Sequence, residues 1–328
     1  MTTAPASAND GLVPVTVLTG YLGAGKTTLL NRILTENHGR KYAVIVNEFG
    51  AIGIDNDLVV DTDEEVFEMN NGCICCTVRG DLIRIISGLM KRKDKFDAIL
   101  VETTGLADPA PVAQTFFVDD EVRAKTKLDA IVTVVDAKHL ALRLADSKEA
   151  KEQIAFADVI LLNKVDLVTA DELAAVERQI RTINPYAKVH RTERSNIAID
   201  KVMALGAFDL DRILELEPDF LEEGHVHDHN EEVRSISMQI DQPLDPKKFF
   251  DWVNATTQER GPDILRLKGI LDLKGDDRRY VIQGVHMMIE GDHQRLWKPG
   301  EAKVSRMVFI GRNLKRSELE PGFRACVG

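Results

Sequence analysis

Along the first two-thirds of the chain, apolar and polar positions follow two alternating periods. Short, nearly unbroken apolar runs at 13–18, 42–46, 97–101, 128–135 and 158–162 have the length and β-branched content of strands buried on both faces. Between them lie helical repeats: 28–34; 82–89, with Leu82, Ile85, Ile86 and Leu89 on one face; a helix opened by Pro109 and Pro111; and 170–182. A short strand at 188–191 and a helix over 196–205 close the series. Such alternation predicts an α/β domain with a mostly parallel sheet flanked by helices. After an acidic stretch at 215–223 the pattern changes. Strands at 235–241, 265–273, 280–287, 289–296 and 304–310 and a helix at 246–258 predict a smaller α+β domain with a largely antiparallel sheet. Trp252 and Trp297 read as its core anchors, and Cys326 as incidental. The expected division is a disordered tail at 1–11, the α/β domain at 12–222, a His-containing linker at 223–233 and the α+β domain at 234–328.

The first apolar run leads into Gly20-Tyr21-Leu22-Gly23-Ala24-Gly25-Lys26-Thr27-Thr28, which is Gly, four residues, then Gly-Lys-Thr. Between a strand and a helix this spacing is a Walker A phosphate-binding loop. Gly20, Gly23, Ala24 and Gly25 let backbone N–H groups ring a phosphate, and the helix N-terminus adds its positive end. Lys26 would reach the β and γ phosphates, and the Thr27 hydroxyl is placed to hold Mg²⁺. The fifth run ends in Asn163-Lys164-Val165-Asp166, the Asn-Lys-x-Asp pattern that reads guanine. A carboxylate at Asp166 can accept from the guanine N1–H and exocyclic amine, a pair adenine does not offer, while Lys164 packs its stem over the base. This motif favours GTP and GDP over a P-loop kinase that uses ATP.

Two strand ends carry further acids. The second run closes on Asn47-Glu48-Phe49-Gly50 and continues into a loop with Asp55 and Asp57, where a mobile switch reaches the γ-phosphate and Mg²⁺. Glu48, Asp55 and Asp57 are therefore candidate metal or water-positioning carboxylates; the plain alternative is a solvated acidic loop. The third run closes on Glu102-Thr103-Thr104-Gly105, a Walker B position followed by a second switch. Glu102 would hold Mg²⁺ through water or orient the attacking water, and Gly105 would offer its N–H to the γ-phosphate.

Between the switches lies Gly72-Cys73-Ile74-Cys75-Cys76, just before a helix. A helix N-terminus favours thiolate. Three thiolates in four residues suit a soft or borderline ion such as Zn²⁺ and leave a tetrahedral site one ligand short, which fits delivery better than permanent structure. Glu48 or a client group is a candidate further ligand; buried thiols or a redox pair are the other readings. His225, His227 and His229 form either a transient capture loop or a polar linker.

Composition narrows the field. A net charge of −11 speaks against a nucleic-acid partner. No apolar stretch approaches the roughly 20 residues of a membrane span. The tail at 1–11 lacks the apolar run of a signal peptide, and four cysteines, three of them crowded together, read as metal or redox chemistry in a reducing cytoplasm.

Taken in order, Gly20–Thr28, Asn47–Gly50, Gly72–Cys76, Glu102–Gly105 and Asn163–Asp166 resemble the CobW-type GTPases, SIMIBI-class P-loop proteins related to the hydrogenase and urease nickel-insertion GTPases. The stretches 264–269 and 307–313 resemble that family's C-terminal domain, so the likeness covers nearly the whole chain. It implies a P-loop GTPase domain and a GTP-dependent metallochaperone that hands zinc, sometimes cobalt, to an apo-metalloprotein client. Glu102 stands where most P-loop proteins have Asp, as in this family. Mg²⁺–GTP would draw both switches onto the γ-phosphate and change the geometry of Cys73, Cys75 and Cys76; hydrolysis would release them. No residue marks an arginine finger, so unassisted turnover is expected on the order of 10⁻⁴ to 10⁻² s⁻¹, with a client or the second copy of a homodimer completing the site. A metal-buffering or sensing module in which GTP sets affinity is the alternative.

Overall fold

A computed structural model of the chain describes residues 12–36, 39–47, 65–69, 77–91, 96–203, 205 and 233–328. By internal contacts it divides into two compact units: Met1–Gln153 with Ala157–Leu173 and Lys188–Asp209, and Ile154–Phe156 with Ala174–Ala187 and Leu210–Gly328.

In the first unit, strands β1 (Val13–Gly20), β2 (Tyr42–Asn47), β3 (Glu65–Met69), β4 (Ala98–Glu102), β5 (Thr126–Asp136), β6 (Val159–Asn163) and β7 (Lys188–Thr192) form a sheet in the order β3-β2-β4-β1-β5-β6-β7. Every neighbouring pair is parallel. Parallel neighbours require crossovers, which α1 (Lys26–Thr35), α2 (Thr77–Met90), α3 (Ala110–Val118), the short α4 (Asp120–Arg123), α5 (Leu140–Asp146), α6 (Lys148–Phe156) and α7 (Ala170–Ile183) supply in the described residues. The five apolar runs are all strands. Leu29, Leu30 and Ile33 of α1 pack with Val44, Leu100, Val132 and Leu161 in one buried cluster.

β3 was not expected. Among the described residues it pairs with β2 alone, at the sheet edge, and its Glu-Val-Phe-Glu-Met sequence is too charged to read as a buried run. The expected helix over 196–205 is instead a single 3₁₀ turn at Ile199–Lys201. Ile197, Ile199, Val202 and Met203 do bury in the core, so the apolar spacing is real, but it belongs to a segment pinned at both ends. Ser195 N–H donates to Asn163 Oδ1 (2.8 Å) and Leu205 N–H to Asp129 Oδ2 (2.8 Å).

Helices α6 and α7 are each divided between the units. The last carbonyls of α6, which no helical N–H can reach, are taken by side chains: Thr133 Oγ1 donates to Gln153 O (2.9 Å), and Asn184 Nδ2 to Ile154 O (2.9 Å) and Ala155 O (3.3 Å).

In the second unit, β8 (Val233–Ile240), β9 (Ile264–Asp272), β10 (Arg278–Val285), β11 (Met288–Leu296) and β12 (Ser305–Arg312) form an antiparallel sheet in the order β11-β10-β9-β12-β8. Helix α8 (Pro246–Arg260) starts where Asp245 accepts from Lys248 N–H and Pro246 supplies a preset φ. It packs Phe249 and Val253 with Leu267, Phe309 and Phe323. Trp252 joins this core, 5.5 Å from the Phe323 ring. Trp297 does not: it is half-buried, with the Arg279 guanidinium 5.1 Å above its ring. Its place in a cation–π stack corrects the expectation of a core anchor. Helix α9 (Arg316–Arg324) escaped the sequence pattern because it carries Pro321 internally and buries only Leu319 and Phe323. Cys326 is buried, which pushes its thiol up to about 11. Among the described residues no helix is long and apolar enough to cross a membrane.

Candidate functional site

Parallel pairing brings the carboxyl ends of the strands to one edge, where open α/β sheets bind ligands. Leu18 stands opposite Glu102, Gly20 opposite Val134, Asp136 opposite Asn163, and Asn163 opposite Thr192. The Walker A loop leaves this edge between β4 and β5.

The loop depends on its glycines in different ways. Gly20, Gly23 and Gly25 have φ of 141°, 73° and 117°. A Cβ on Gly20 would lie 2.3 Å from Val134 O, and one on Gly25 2.4 Å from Asn163 Nδ2. Three successive carbonyls of the loop are clasped by side chains at or just after the ends of β6 and β7. Lys164 Nζ donates to Gly23 O (2.7 Å), Asn163 Nδ2 to Ala24 O (2.9 Å) and Ser195 Oγ to Gly25 O (3.0 Å). Peptide C=O and N–H groups point to opposite sides. The N–H groups of Gly25 and Lys26 are therefore turned away from the clasp, while that of Ala24 closes a turn onto Tyr21 O (3.2 Å). Oriented N–H groups of this kind at a helix start make an anion nest.

Lys26 is buried and folds back on its own loop, donating to Gly20 O (2.7 Å) and Tyr21 O (3.4 Å). Burial pushes its ammonium down from the usual lysine range, against an upward pull from Glu102. Burial likewise pushes the Glu102 carboxyl up, and Lys26 opposes it. Among the described residues none donates a hydrogen bond to the Glu102 carboxylate. Thr27 and Thr28 are exposed at the start of α1. Thr27 carries a hydroxyl and Glu102 a carboxylate, the oxygen donor types that Mg²⁺ prefers. Gly105 sits against the loop: a Cβ there would lie 2.6 Å from Leu22 Cδ2 and 2.7 Å from Leu22 N.

Lys164 has a left-handed φ of 63° and opens the 3₁₀ turn Val165–Leu167, which carries the exposed Asp166. Its ammonium also binds Asp136 Oδ2 (2.7 Å), which takes His139 Nδ1 as well (3.0 Å). Burial raises the Asp136 carboxyl, but the bonds from Lys164 and His139 more than offset this and hold it below the usual range. Asp136 and Ser195 were missed in the sequence. Asp136 is an acid at the end of a buried strand, the signal that singled out Glu102. Ser195 lies three residues beyond the last parallel strand, at the ligand edge. It is fully buried, and it and Arg194 have left-handed φ of 54° and 48°. Arg32 of α1 donates to its carbonyl.

Glu48, Asp55, Asp57, Cys73, Cys75, Cys76, His225, His227 and His229 lie outside the described residues. Among the described residues no group of three or more metal-ligating side chains occurs.

Residues 14–191 match the family model described as CobW/HypB/UreG, nucleotide-binding domain, and residues 233–327 match the cobalamin synthesis protein CobW C-terminal domain. The chain belongs to the CobW/HypB/UreG family. It is 35% identical over 317 residues to the zinc chaperone YjiA of Escherichia coli, covering 95% of this chain and 98% of that one. It is also 35% identical to the zinc-regulated GTPase metalloprotein activator 1 of Schizosaccharomyces pombe, covering 93% and 83% of the two chains. The crystal structure of Zn(II)-bound YjiA GTPase from E. coli superposes with a TM-score of 0.78 at 30% identity, covering 97% of this chain and 99% of that one. Both the parallel P-loop sheet and the second, antiparallel sheet are thus those of this family.

Proposed function

We propose that this protein binds and hydrolyses GTP and, acting in the cytoplasm, carries a divalent transition metal, zinc foremost, to an apo-metalloprotein client. The observation that carries the nucleotide half is the clasp. Lys164, Asn163 and Ser195 grip Gly23 O, Ala24 O and Gly25 O, so the guanine reader and the phosphate loop form one preformed unit. Lys26, now bonded to Gly20 O, exchanges that carbonyl for phosphate oxygens, a stronger charge-assisted bond. Thr27 and Glu102 hold Mg²⁺, which neutralises charge on the phosphates when bound. Gly105 presents backbone to the γ-phosphate, and Asp166 reads the guanine edge. Relatives named zinc chaperones and a Zn(II)-bound structure of the same fold support zinc as the cargo. Cys73, Cys75 and Cys76 are its proposed ligands, with Glu48 or a client group beside them.

The test is a pair of titrations: zinc with and without a non-hydrolysable GTP analogue, and the analogue with and without zinc. Linkage requires the two shifts to be equal. A coupling of 1–3 kcal/mol gives roughly a 5- to 150-fold change. Cys73→Ser with Cys75→Ser and Cys76→Ser removes the zinc site and the coupling together while GDP binding stays. Zinc that still binds these cysteines with no shift in either titration makes the loop a passive store and refutes the carrier mechanism.

A further inference from the structure

Gln153 is almost fully buried in α6 and has no part in the site as drawn from the sequence. Its side chain reaches the backbone after β4: Nε2 lies 3.2 Å from Gly105 O and 3.1 Å from Ala107 O. Both neighbours are carbonyl oxygens, so only the NH₂ end of the amide fits, and both of its N–H bonds are used. The base of the side chain is fixed as well, because Thr133 on β5 donates to the Gln153 backbone carbonyl. The segment that Gln153 holds is a tight turn, with Ala107 N–H on Thr104 O (3.0 Å). Gln153 grips one side of Gly105, and Leu22 of the phosphate loop closes the other, within 2.7 Å of where a Cβ would stand. Since each peptide carries its N–H opposite its C=O, pulling Gly105 O towards Gln153 turns the Leu106 N–H away from it.

We propose that Gln153 is a positioning residue for GTP hydrolysis, whose amide sets the 104–107 turn against the phosphate loop so that its backbone N–H groups meet the γ-phosphate end of the nucleotide. This rests on the reading of Gly105 as the γ-phosphate sensor. GDP, which lacks that phosphate, gains nothing from the turn. The discriminating quantity is therefore the ratio of GTP-analogue affinity to GDP affinity, which loss of general packing does not change.

Gln153→Glu keeps the size of the side chain and replaces both donors with acceptors that repel the two carbonyls. Expected for the full-length chain is a GDP affinity within about twofold of wild type. Affinity for a non-hydrolysable GTP analogue and the single-turnover rate should each fall at least about tenfold, as for one to two hydrogen bonds lost. Gln153→Asn, with the same donors on a shorter stem, should shift the ratio in the same direction. It serves as the test variant if the Glu substitution fails to fold. Equal losses for GDP and analogue, or no loss of either, overturn the proposal. A wild-type chain that binds the analogue and GDP equally refutes the reading of Gly105 as the γ-phosphate sensor, on which the proposal rests, whereas a wild-type preference for the analogue that Gln153→Glu leaves intact overturns the positioning role alone.

Discussion

The three loop glycines make a graded prediction for the nucleotide-free protein, because each would meet an added methyl differently. At Gly23 a Cβ meets nothing within 4 Å, and φ of 73° is ordinary left-handed backbone. Gly23→Ala therefore costs only the left-handed penalty of about 1–2 kcal/mol. About 0.4–1 kcal/mol of this is returned by the stiffer unfolded chain. The net is near 1 kcal/mol, or a melting point roughly 2–4 °C lower for a unit of this size. At Gly25, φ of 117° with ψ of 19° lies outside the left-handed well, and the Cβ falls 2.4 Å from Asn163 Nδ2. Asn163 is buried, donates to Ala24 O and accepts from Thr192 Oγ1 and Ser195 N–H, so it has nowhere to retreat without breaking one to three bonds. Strain of about 2 kcal/mol and about 1 kcal/mol per bond give a loss of roughly 3–5 kcal/mol for Gly25→Ala. Gly20→Ala meets backbone rather than side chain, 2.3 Å from Val134 O, and should be at least as damaging because β1 must part from β5 at the ligand edge. Thermal unfolding of the three variants without nucleotide is the assay. A Gly23→Ala variant that melts as low as Gly25→Ala would refute the clasp as the source of the difference.

Asp166→Asn replaces an acceptor with a donor. It should weaken GTP and GDP binding at least tenfold, for a charge-assisted bond of about 1.5–3 kcal/mol, and partly restore binding with xanthine nucleotides; unchanged GTP affinity sinks the assignment. Ser195→Ala loses about 1 kcal/mol of bonding to Gly25 O, which still accepts from Leu29 N–H. It should weaken GDP and inorganic tripolyphosphate alike, about fivefold, whereas Asp166→Asn should leave tripolyphosphate binding unchanged; calorimetry separates the two. In the second unit Glu301 is held down to about 2, chiefly by its hydrogen bonds from Arg295. A depressed carboxyl stabilises above its unfolded value near 4.3 and loses that contribution as pH falls towards 2. Glu301→Gln should therefore lose less stability across that interval, read by denaturant unfolding at stepped pH; an identical acid slope would remove Glu301 from the account.

The sheet was legible because strands buried on both faces must be apolar throughout, and the phosphate loop because its chemistry demands fixed residue types at fixed spacing. Charge hid β3, an internal proline hid α9, and Trp297 was misjudged because a large aromatic ring reads as core whether it meets leucines or an arginine. The site was legible one strand end at a time. What connects the strand ends was not: Asp136, Gln153 and Ser195 act across separations of 28, 48 and 170 residues. Single side-chain contacts over such distances leave no period in the sequence.

Those long-range contacts bear on what kind of reader this site is. Asp166 is exposed and sits on a short turn, so burial does not hold it in place. Its position is inherited from Asn163 and Lys164, just before it in the chain. Asn163 is locked by Ala24 O, Thr192 and Ser195, and Lys164 is stretched between Gly23 O and Asp136. These tethers end on the phosphate loop, on the ends of β5 and β7, or on Ser195, which itself donates to Gly25 O. On the proposed reading of Asp166, a movement that opens the loop shifts the guanine reader as well, and guanine selectivity and phosphate affinity become one property of the clasp. A substitution at any of its donors should move both, whereas a substitution at Asp166, proposed to meet the base and not the phosphates, should change the first without the second.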